Sequence, residues 1–316
     1  MRRVLVIKLG ALGDFVQALG AFAAIRRHHA EARITLLTTA PFKELAEAGG
    51  YFDEVWIDQR SRPWQPKGWL KLARRLNAGD FERVYDLQTS DRSAAYFRLM
   101  GPLFGGKRPE WSGIARSCSH RHANPNRKFM HTIERLAEQL AMAGIKHVPP
   151  ADLSWAGADV SRFELAGDAG RYALLVPGSS PHRPEKRWPE DRFAALGRRL
   201  ASERVTPVLL GAGAESEVNA RVRGLCPDAR DLCGETSFID IVALARGAAG
   251  ALGNDTGPMH LIAAAGCPTV VLFSAASDPA RCAPRGPQGA DSVTVIRRDS
   301  LDNLMVDEVA SALNLR

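Results

Sequence analysis

The 316-residue sequence has no uninterrupted apolar run approaching the ~18 residues that a membrane-spanning helix needs, so no span is expected. It has only five cysteines, Cys118, Cys226, Cys233, Cys267 and Cys282. They are odd in number, scattered and without a C-x-x-C pair, which excludes a disulfide framework and fits a reducing compartment. Zinc-finger spacing is missing: Cys118, His120 and His122 alternate through a polar loop rich in Arg and Ser, in a pattern that matches no usual zinc site, so no metal is expected. The aromatic pattern of an RNA-recognition sheet is also missing, and no nucleic-acid partner is expected. No G-x-x-x-x-G-K-[ST] can be aligned, which excludes a P-loop. The dinucleotide fingerprint is incomplete, because Gly211-Ala212-Gly213 continues to Ser216 where a third glycine is required, and no acid is clearly placed for a ribose. A dehydrogenase is disfavoured on that ground. The opening Met1-Arg2-Arg3 and the apolar residues after it resemble a signal peptide, but Lys8 and Asp14 interrupt them and no small-residue cleavage site follows. We read a first strand there and expect a cytoplasmic protein.

What is present is an ordinary globular composition, 45% hydrophobic and 24% charged, at a length that suits two domains. The charge is divided unevenly. Residues 1–150 hold 24 basic and 14 acidic side chains, a balance of +10, while residues 151–316 hold 18 and 21, a balance of −3. A basic half is either a solubilising surface or the footprint of an anionic partner. Short β-branched runs alternate with amphipathic stretches, the pattern of parallel α/β sheets. Strands are expected at residues 3–9, 33–37, 54–57, 83–86, 172–176, 206–210, 250–253, 269–273 and 292–296. Helices are expected at 15–28, 41–48, 68–77, 92–100, 130–143, 189–202, 215–225, 238–246, 258–265 and 303–313. Residues 144–170, with Pro149-Pro150 and several Gly, Ala and Asp, read as the interdomain connection. The expected architecture is α/β, with two doubly wound domains, 1–155 and 165–316, facing a central cleft.

Ligands of such sheets bind at the carboxyl ends of strands, and three segments there could carry chemistry. Asn254-Asp255-Thr256-Gly257-Pro258-Met259-His260 follows a strand and opens a helix. Asp and Thr suit capping, Pro suits the first turn, and the backbone N–H groups of Thr256 and Gly257 would face a phosphate. Pro177-Gly178-Ser179-Ser180, followed by Lys186-Arg187-Trp188-Pro189, offers hydroxyl donors and a mobile cation. Lys186 is either a solvated lysine or a neutraliser of a departing diphosphate. Lys8-Leu9-Gly10-Ala11-Leu12-Gly13-Asp14 ends the first strand. There Asp14 is either a helix cap or a general base.

Taken together these segments resemble glycosyltransferase family 9, the heptosyltransferases of the lipopolysaccharide inner core. The resemblance runs from Lys8–Asp14 through Asp86-Leu87-Gln88, Lys186-Arg187-Trp188-Pro189 and Asp255-Thr256-Gly257-Pro258-Met259-His260 to residues 268–273. It implies the GT-B architecture of two Rossmann-like domains, with the acceptor on the first and the nucleotide sugar on the second. It also implies inverting transfer without a metal or further cofactor, and ADP-heptose as donor. Carried over, Asp14 deprotonates the acceptor hydroxyl. Lys186, with the Thr256 and Gly257 backbone, stabilises departing ADP, and Asp255 contacts the sugar. Asp231 is similar in placement to the family's acidic ribose ligand. Ser179, Ser180 and His260 complete the donor set, while Gly10, Gly13 and Gln88 fall to the acceptor. The implied acceptor is an anionic, lipid-linked saccharide met at the cytoplasmic face of the inner membrane. The basic stretch 105–128, with six Lys or Arg against Glu110 alone, would suit it. Another nucleotide sugar, a non-lipid acceptor and a non-catalytic nucleotide-binding relative remain alternatives at this point.

Overall fold

Aliphatic and β-branched runs form the strands of two separate six-stranded sheets in the computed structural model, which describes all residues except 166–169, 181 and 290–291. The chain divides into two units, Met1–Pro149 and Pro150–Arg316. The first holds β1 (Arg3–Ile7), β2 (Arg33–Thr38), β3 (Glu54–Ile57), β4 (Arg83–Asp86), β5 (Glu110–Gly113) and β6 (His120–Arg121), with helices α1 (Leu12–Val16), α2 (Leu19–His28), α3 (Lys43–Ala48), α4 (Pro66–Ala78), α5 (Asp91–Leu99) and α6 (Thr132–Met142). The second holds β7 (Tyr172–Val176), β8 (Thr206–Leu209), β9 (Arg230–Asp231), β10 (Gly250–Asn254), β11 (Thr269–Phe273) and β12 (Val293–Arg297). Its helices are α7 (Glu190–Ser202), α8 (Ser216–Leu225), α9 (Phe238–Gly247), α10 (Gly257–Ala264), α11 (Pro279–Cys282) and α12 (Val306–Ala312).

The strand orders are β3-β2-β1-β4-β5-β6 and β12-β11-β10-β7-β8-β9, and every strand pair is parallel. Counted within each unit, both are the 3-2-1-4-5-6 order of the Rossmann fold. The order reverses between β1 and β4, where Ile7 pairs with Asp86, and between β7 and β10, where Val176 pairs with Gly253. Central strands are buried on both faces, so β10 and β11 are wholly buried runs rather than alternating ones. Trp111 lies in the first core, and Trp188 and Phe193 in the second.

Three details depart from the sequence-based expectation. The helix expected at 15–28 starts at Leu12 and breaks into α1 and α2, because Ala18 N–H turns back three residues to Phe15 O. Phe15 is held there between the Phe22 and Phe42 rings at 5.2 and 5.0 Å. The polar loop through Cys118, His120 and His122 instead contributes β6, and β5 just before it places Trp111 in the core. Of the connection expected over 144–170, residues 166–169 lie outside the described residues. Residues 153–156 are held within the second unit by the Arg246 guanidinium, which donates to Leu153 O and Ala156 O.

Candidate functional site

In the second unit, Asn254 ends β10 with a wholly buried amide. Its Oδ1 accepts from Trp188 N–H at 2.9 Å and its Nδ2 donates to Pro177 O at 2.8 Å. Trp188 is anchored from its other side, with Nε1 donating to Leu304 O at 2.9 Å. One side chain thus joins the loops after β7 and β10 and the segment that carries Lys186. A buried amide left unpaired would be costly, so this junction is fixed by its own hydrogen bonds.

On this junction Lys186 Nζ lies 2.6 Å from Asp255 Oδ2, with the two side chains 14% and 9% exposed. Ser277 Oγ donates to the same oxygen at 2.7 Å. The carboxylate, backed by a hydroxyl, fixes the ammonium at the mouth of α10. Residues 255–258 are half-buried between a buried strand end and a buried helix. Thr256 stands at the N-cap with extended backbone, and neither it nor Asp255 caps the helix with its side chain. That corrects the capping expected of them, since Asp255 is turned to Lys186 instead. The opening N–H groups of α10 thus have no cap from either side chain, at the positive end of the helix. Pro258 occupies the first turn as expected, and His260 is buried one turn on.

The remaining donor residues divide by exposure. Ser179 is fully buried. Its hydroxyl donates to Arg183 O at 3.4 Å and accepts from Arg187 Nε at 3.2 Å, which locks the loop, whereas Ser180 is exposed. Asp231 Oδ1 accepts from Cys233 N–H at 3.0 Å and Asn219 Nδ2 at 3.2 Å. A carboxylate that the sequence reading missed sits past the end of β8: Glu215 accepts from Ala212 N–H at 2.6 Å and lies against Gly178, where an added Cβ would come within 2.6 Å of its Cγ. An acid at the end of the second strand is the usual ribose position of a Rossmann half. The signal lay in the Gly211–Glu215 turn, hidden because the spacing of the fingerprint is altered. Ser277 was missed for a plainer reason, since a serine in a turn is ordinary, and Asn254, though within the segment singled out, was not given its joining role.

In the first unit the β1 and β4 loops are tied together. Gln88 Oε1 accepts from Leu9 N–H at 2.8 Å, Lys8 Nζ donates to Leu87 O at 3.2 Å, and Thr39 Oγ1 donates to Leu9 O at 3.2 Å. Gly10 has φ +118°, and a Cβ there would meet the Phe42 ring at 2.8 Å, so only glycine suits the turn. Gly13 is buried inside α1. Asp14 is half-buried at the third position of that helix, whose N-cap is Ala11, so Asp14 is not the cap. Burial lowers the Lys8 pKa, opposed by the Asp14 and Asp86 carboxylates. Burial pushes Asp86 up to about 6, against hydrogen bonds from Thr89, Ser93 and Gln88 and the charge of Lys8.

Among the described residues no three His, Cys, Asp or Glu side chains gather as they would around a metal ion, and no helix is long and apolar enough to cross a membrane. Cys118, His120 and His122 are separately engaged: Cys118 Sγ points to Gly113 O at 3.8 Å, His120 Nε2 lies 4.0 Å from Glu110, and His122 Nε2 lies 3.4 Å from Glu138.

Comparison with known proteins gives these positions a context. Lipopolysaccharide heptosyltransferase 1 of Pseudomonas aeruginosa is 28% identical over 282 residues, 86% of this chain and 78% of that protein. Among solved structures, the Escherichia coli ADP-heptose lipopolysaccharide heptosyltransferase II superposes with a TM-score of 0.78 at 21% identity, covering 99% of this chain and 97% of its own. The E. coli heptosyltransferase WaaC, solved with ADP, gives 0.73 at 22% identity, covering 98% of each chain. These likenesses establish a shared two-sheet GT-B fold. The model of glycosyltransferase family 9 (heptosyltransferase) matches residues 69–302, and the chain belongs to that family as a glycosyltransferase.

Proposed function

We propose that this enzyme transfers heptose from ADP-heptose to an anionic, lipid-linked sugar of the lipopolysaccharide inner core, with inversion and without a metal, at the cytoplasmic face of the inner membrane. One observation carries the reading: the two groups of residues singled out in the sequence fall at the two points where strand order reverses. Lys8–Asp14 and Gln88 flank the β1–β4 point, and residues 178–180 and 255–257 flank the β7–β10 point. Those are the places where open α/β sheets bind ligands. Relatives named as lipopolysaccharide heptosyltransferases, one of them solved with ADP, support the donor and the acceptor class.

In this reading residues 1–155 bind the acceptor and residues 165–316 the nucleotide sugar. Asp14 takes the proton of the acceptor hydroxyl as its oxygen attacks the anomeric carbon. The bond from that carbon to the phosphate oxygen breaks, and the charge gathering on ADP is met by Lys186, the Ser180 hydroxyl and the N–H groups at Thr256 and Gly257. Preorganised donors at a helix N-terminus and one fixed ammonium supply the stabilisation a metal would otherwise give. Asp255 holds Lys186 until the diphosphate arrives and then faces the sugar, with His260 behind it. Glu215 and Asp231 are the carboxylates available to the ribose. Gly10 and Gly13 let the acceptor approach the backbone, Gln88 shapes that turn, and the basic stretch 105–128 draws the anionic lipid.

Melting curves with ADP-heptose, UDP-sugars and NAD test the donor: ADP-heptose should raise the melting temperature most, and stabilisation by NAD alone would end the transferase reading. For the base, Asp14→Asn should slow transfer by ~10²–10⁴-fold while ADP affinity holds within about twofold. Full turnover in that variant would remove Asp14 from the role.

A further inference from the structure

Asp255 carries two bonds on one oxygen, and a Lys186 drawn off to a diphosphate would leave it one. Its Oδ2 meets Lys186 Nζ at 2.6 Å and accepts from Ser277 Oγ at 2.7 Å. Among the described residues no other protein group bonds this side chain. The carboxylate is only 9% exposed, and a charge so far withdrawn from water is costly without partners. It cannot readily turn away to find new ones, because Asp255 N–H is held by Leu272 O at 3.0 Å. In the proposed reaction Ser277 becomes the partner that remains.

Ser277 is itself positioned without help from the ion pair. It lies in the turn after β11, where Ser274 is buried. Ser274 Oγ accepts from Ala276 N–H at 3.3 Å, and Ser274 O accepts from Ser277 N–H at 3.4 Å. Ala275 N–H donates to Asp299 O at 3.3 Å, just past the end of β12. Arg183 Nη1 donates to Ala276 O at 3.3 Å, while Arg183 O accepts from Lys186 N–H at 3.1 Å. The turn that bears the hydroxyl and the loop that bears the ammonium are thus tied through main-chain acceptors, and both can stay in place when the side-chain bonds change.

We propose that Ser277 is a positioning residue for donor binding: its hydroxyl holds the Asp255 carboxylate in place while Lys186 exchanges that carboxylate for the diphosphate, and so lowers the cost of the exchange. Separating a buried ion pair is costly because one charge is left without its partner. A hydroxyl already bonded to that charge offsets part of the cost. A serine that merely shapes a turn bonds the backbone of its own turn, whereas this hydroxyl reaches across 22 residues to a carboxylate. Ser277 acts through Asp255 and not on the substrate. This role rests on the proposed encounter of Lys186 with the diphosphate.

The test is a double-mutant cycle on the full chain, read by calorimetric titration with ADP. Ser277→Ala should weaken ADP binding roughly tenfold, the worth of one hydrogen bond to a charged group. In the Asp255→Asn background no carboxylate holds Lys186, and there the same substitution should change ADP affinity by less than about twofold. Ser277→Thr keeps the hydroxyl and should bind ADP as the wild type does. An equal loss in both backgrounds would mean that Ser277 only shapes its turn, and overturns the role. So does a Ser277→Ala protein that binds ADP as tightly as the wild type, or a Ser277→Thr protein as weak as Ser277→Ala. Heptose transfer reads out separately. The expected cycle in a wild type that transfers no heptose supports the role of Ser277 and overturns the proposed donor sugar, whereas a wild type that does not bind ADP overturns the proposed function and this role with it.

Discussion

Asp86 closes β4 with a carboxyl group that no water reaches, although Gln88 and Thr89 N–H groups both bond its Oδ1. Desolvation outweighs those bonds, and the proton is held to about pH 6, whereas an aspartate in the unfolded chain loses it near pH ~4. Between these values the native state binds more protons than the unfolded one. Stability from this group therefore falls as pH rises from about 4 to 6, and the loss is complete above that window. Asp86→Asn keeps an acceptor for both N–H groups and removes the titration. The unfolding free energy of the wild type relative to this variant should decline by roughly 3 kcal/mol between pH 3.5 and pH 7, at about 1.4 kcal/mol per unit of displacement. Denaturant melts of the two proteins across that range measure it. A constant difference would mean that Asp86 titrates in the folded protein as it does in the unfolded chain, and a difference that rises with pH would mean that Lys8 holds it ionised.

The junction of β10 with α10 depends on a glycine that is neither in a turn nor at positive φ. A Cβ at Gly253 would meet Met259 Sδ at 2.5 Å and Val176 Cβ at 2.8 Å, so α10 packs directly on the strand backbone. Gly253→Ala should cost about 1–3 kcal/mol by overpacking. It should also displace the helix N-terminus, so that ADP affinity falls along with the melting temperature. Paired calorimetric melts and ADP titrations test this, and a lowered melting temperature with unchanged ADP affinity would detach the helix N-terminus from nucleotide binding. The close approach could not be foreseen, since Gly253 reads in sequence as one more small residue of an apolar strand. Central elements were legible for a physical reason: strands buried on both faces are continuous apolar runs, and the helices between them carry a 3.6-residue period. β5 and β6 were not, because β5 (Glu110–Gly113) has no β-branched residue, β6 is only two residues long, and the pairing of both is decided by the neighbouring strand. At the candidate site the segments that follow β1, β7 and β10 were legible as loops at strand ends. Their partners were not, because Asn254, Ser277 and Glu215 come into contact only through the fold.

Each half of the chain has the same strand order, yet the two carry opposite charge balances, +10 over residues 1–150 and −3 over residues 151–316. Strand order was implied only through the family resemblance, but the charge division is in the sequence itself and bears on which partner each half meets. In the proposed reaction the donor is gripped at short range, by Lys186 at 2.6 Å from Asp255 and by the N–H groups of α10, in surroundings from which water is largely excluded. The acceptor is drawn by exposed cations such as Arg116 and Arg121, which act through solvent. Raising ionic strength from 0.01 to 0.1 M shortens the screening length from about 30 to about 10 Å and weakens the second kind of attraction far more than the first. With a deacylated core saccharide as acceptor, so that no bilayer contributes, KM for the acceptor should rise several-fold over that interval while KM for ADP-heptose changes by less than about twofold. The same measurement on a variant with Arg116 and Arg121 replaced by Gln should show a smaller rise. Equal salt dependence for both substrates would mean that the basic half repels no competitor and recruits no acceptor, and its charge would then serve solubility or the bilayer alone.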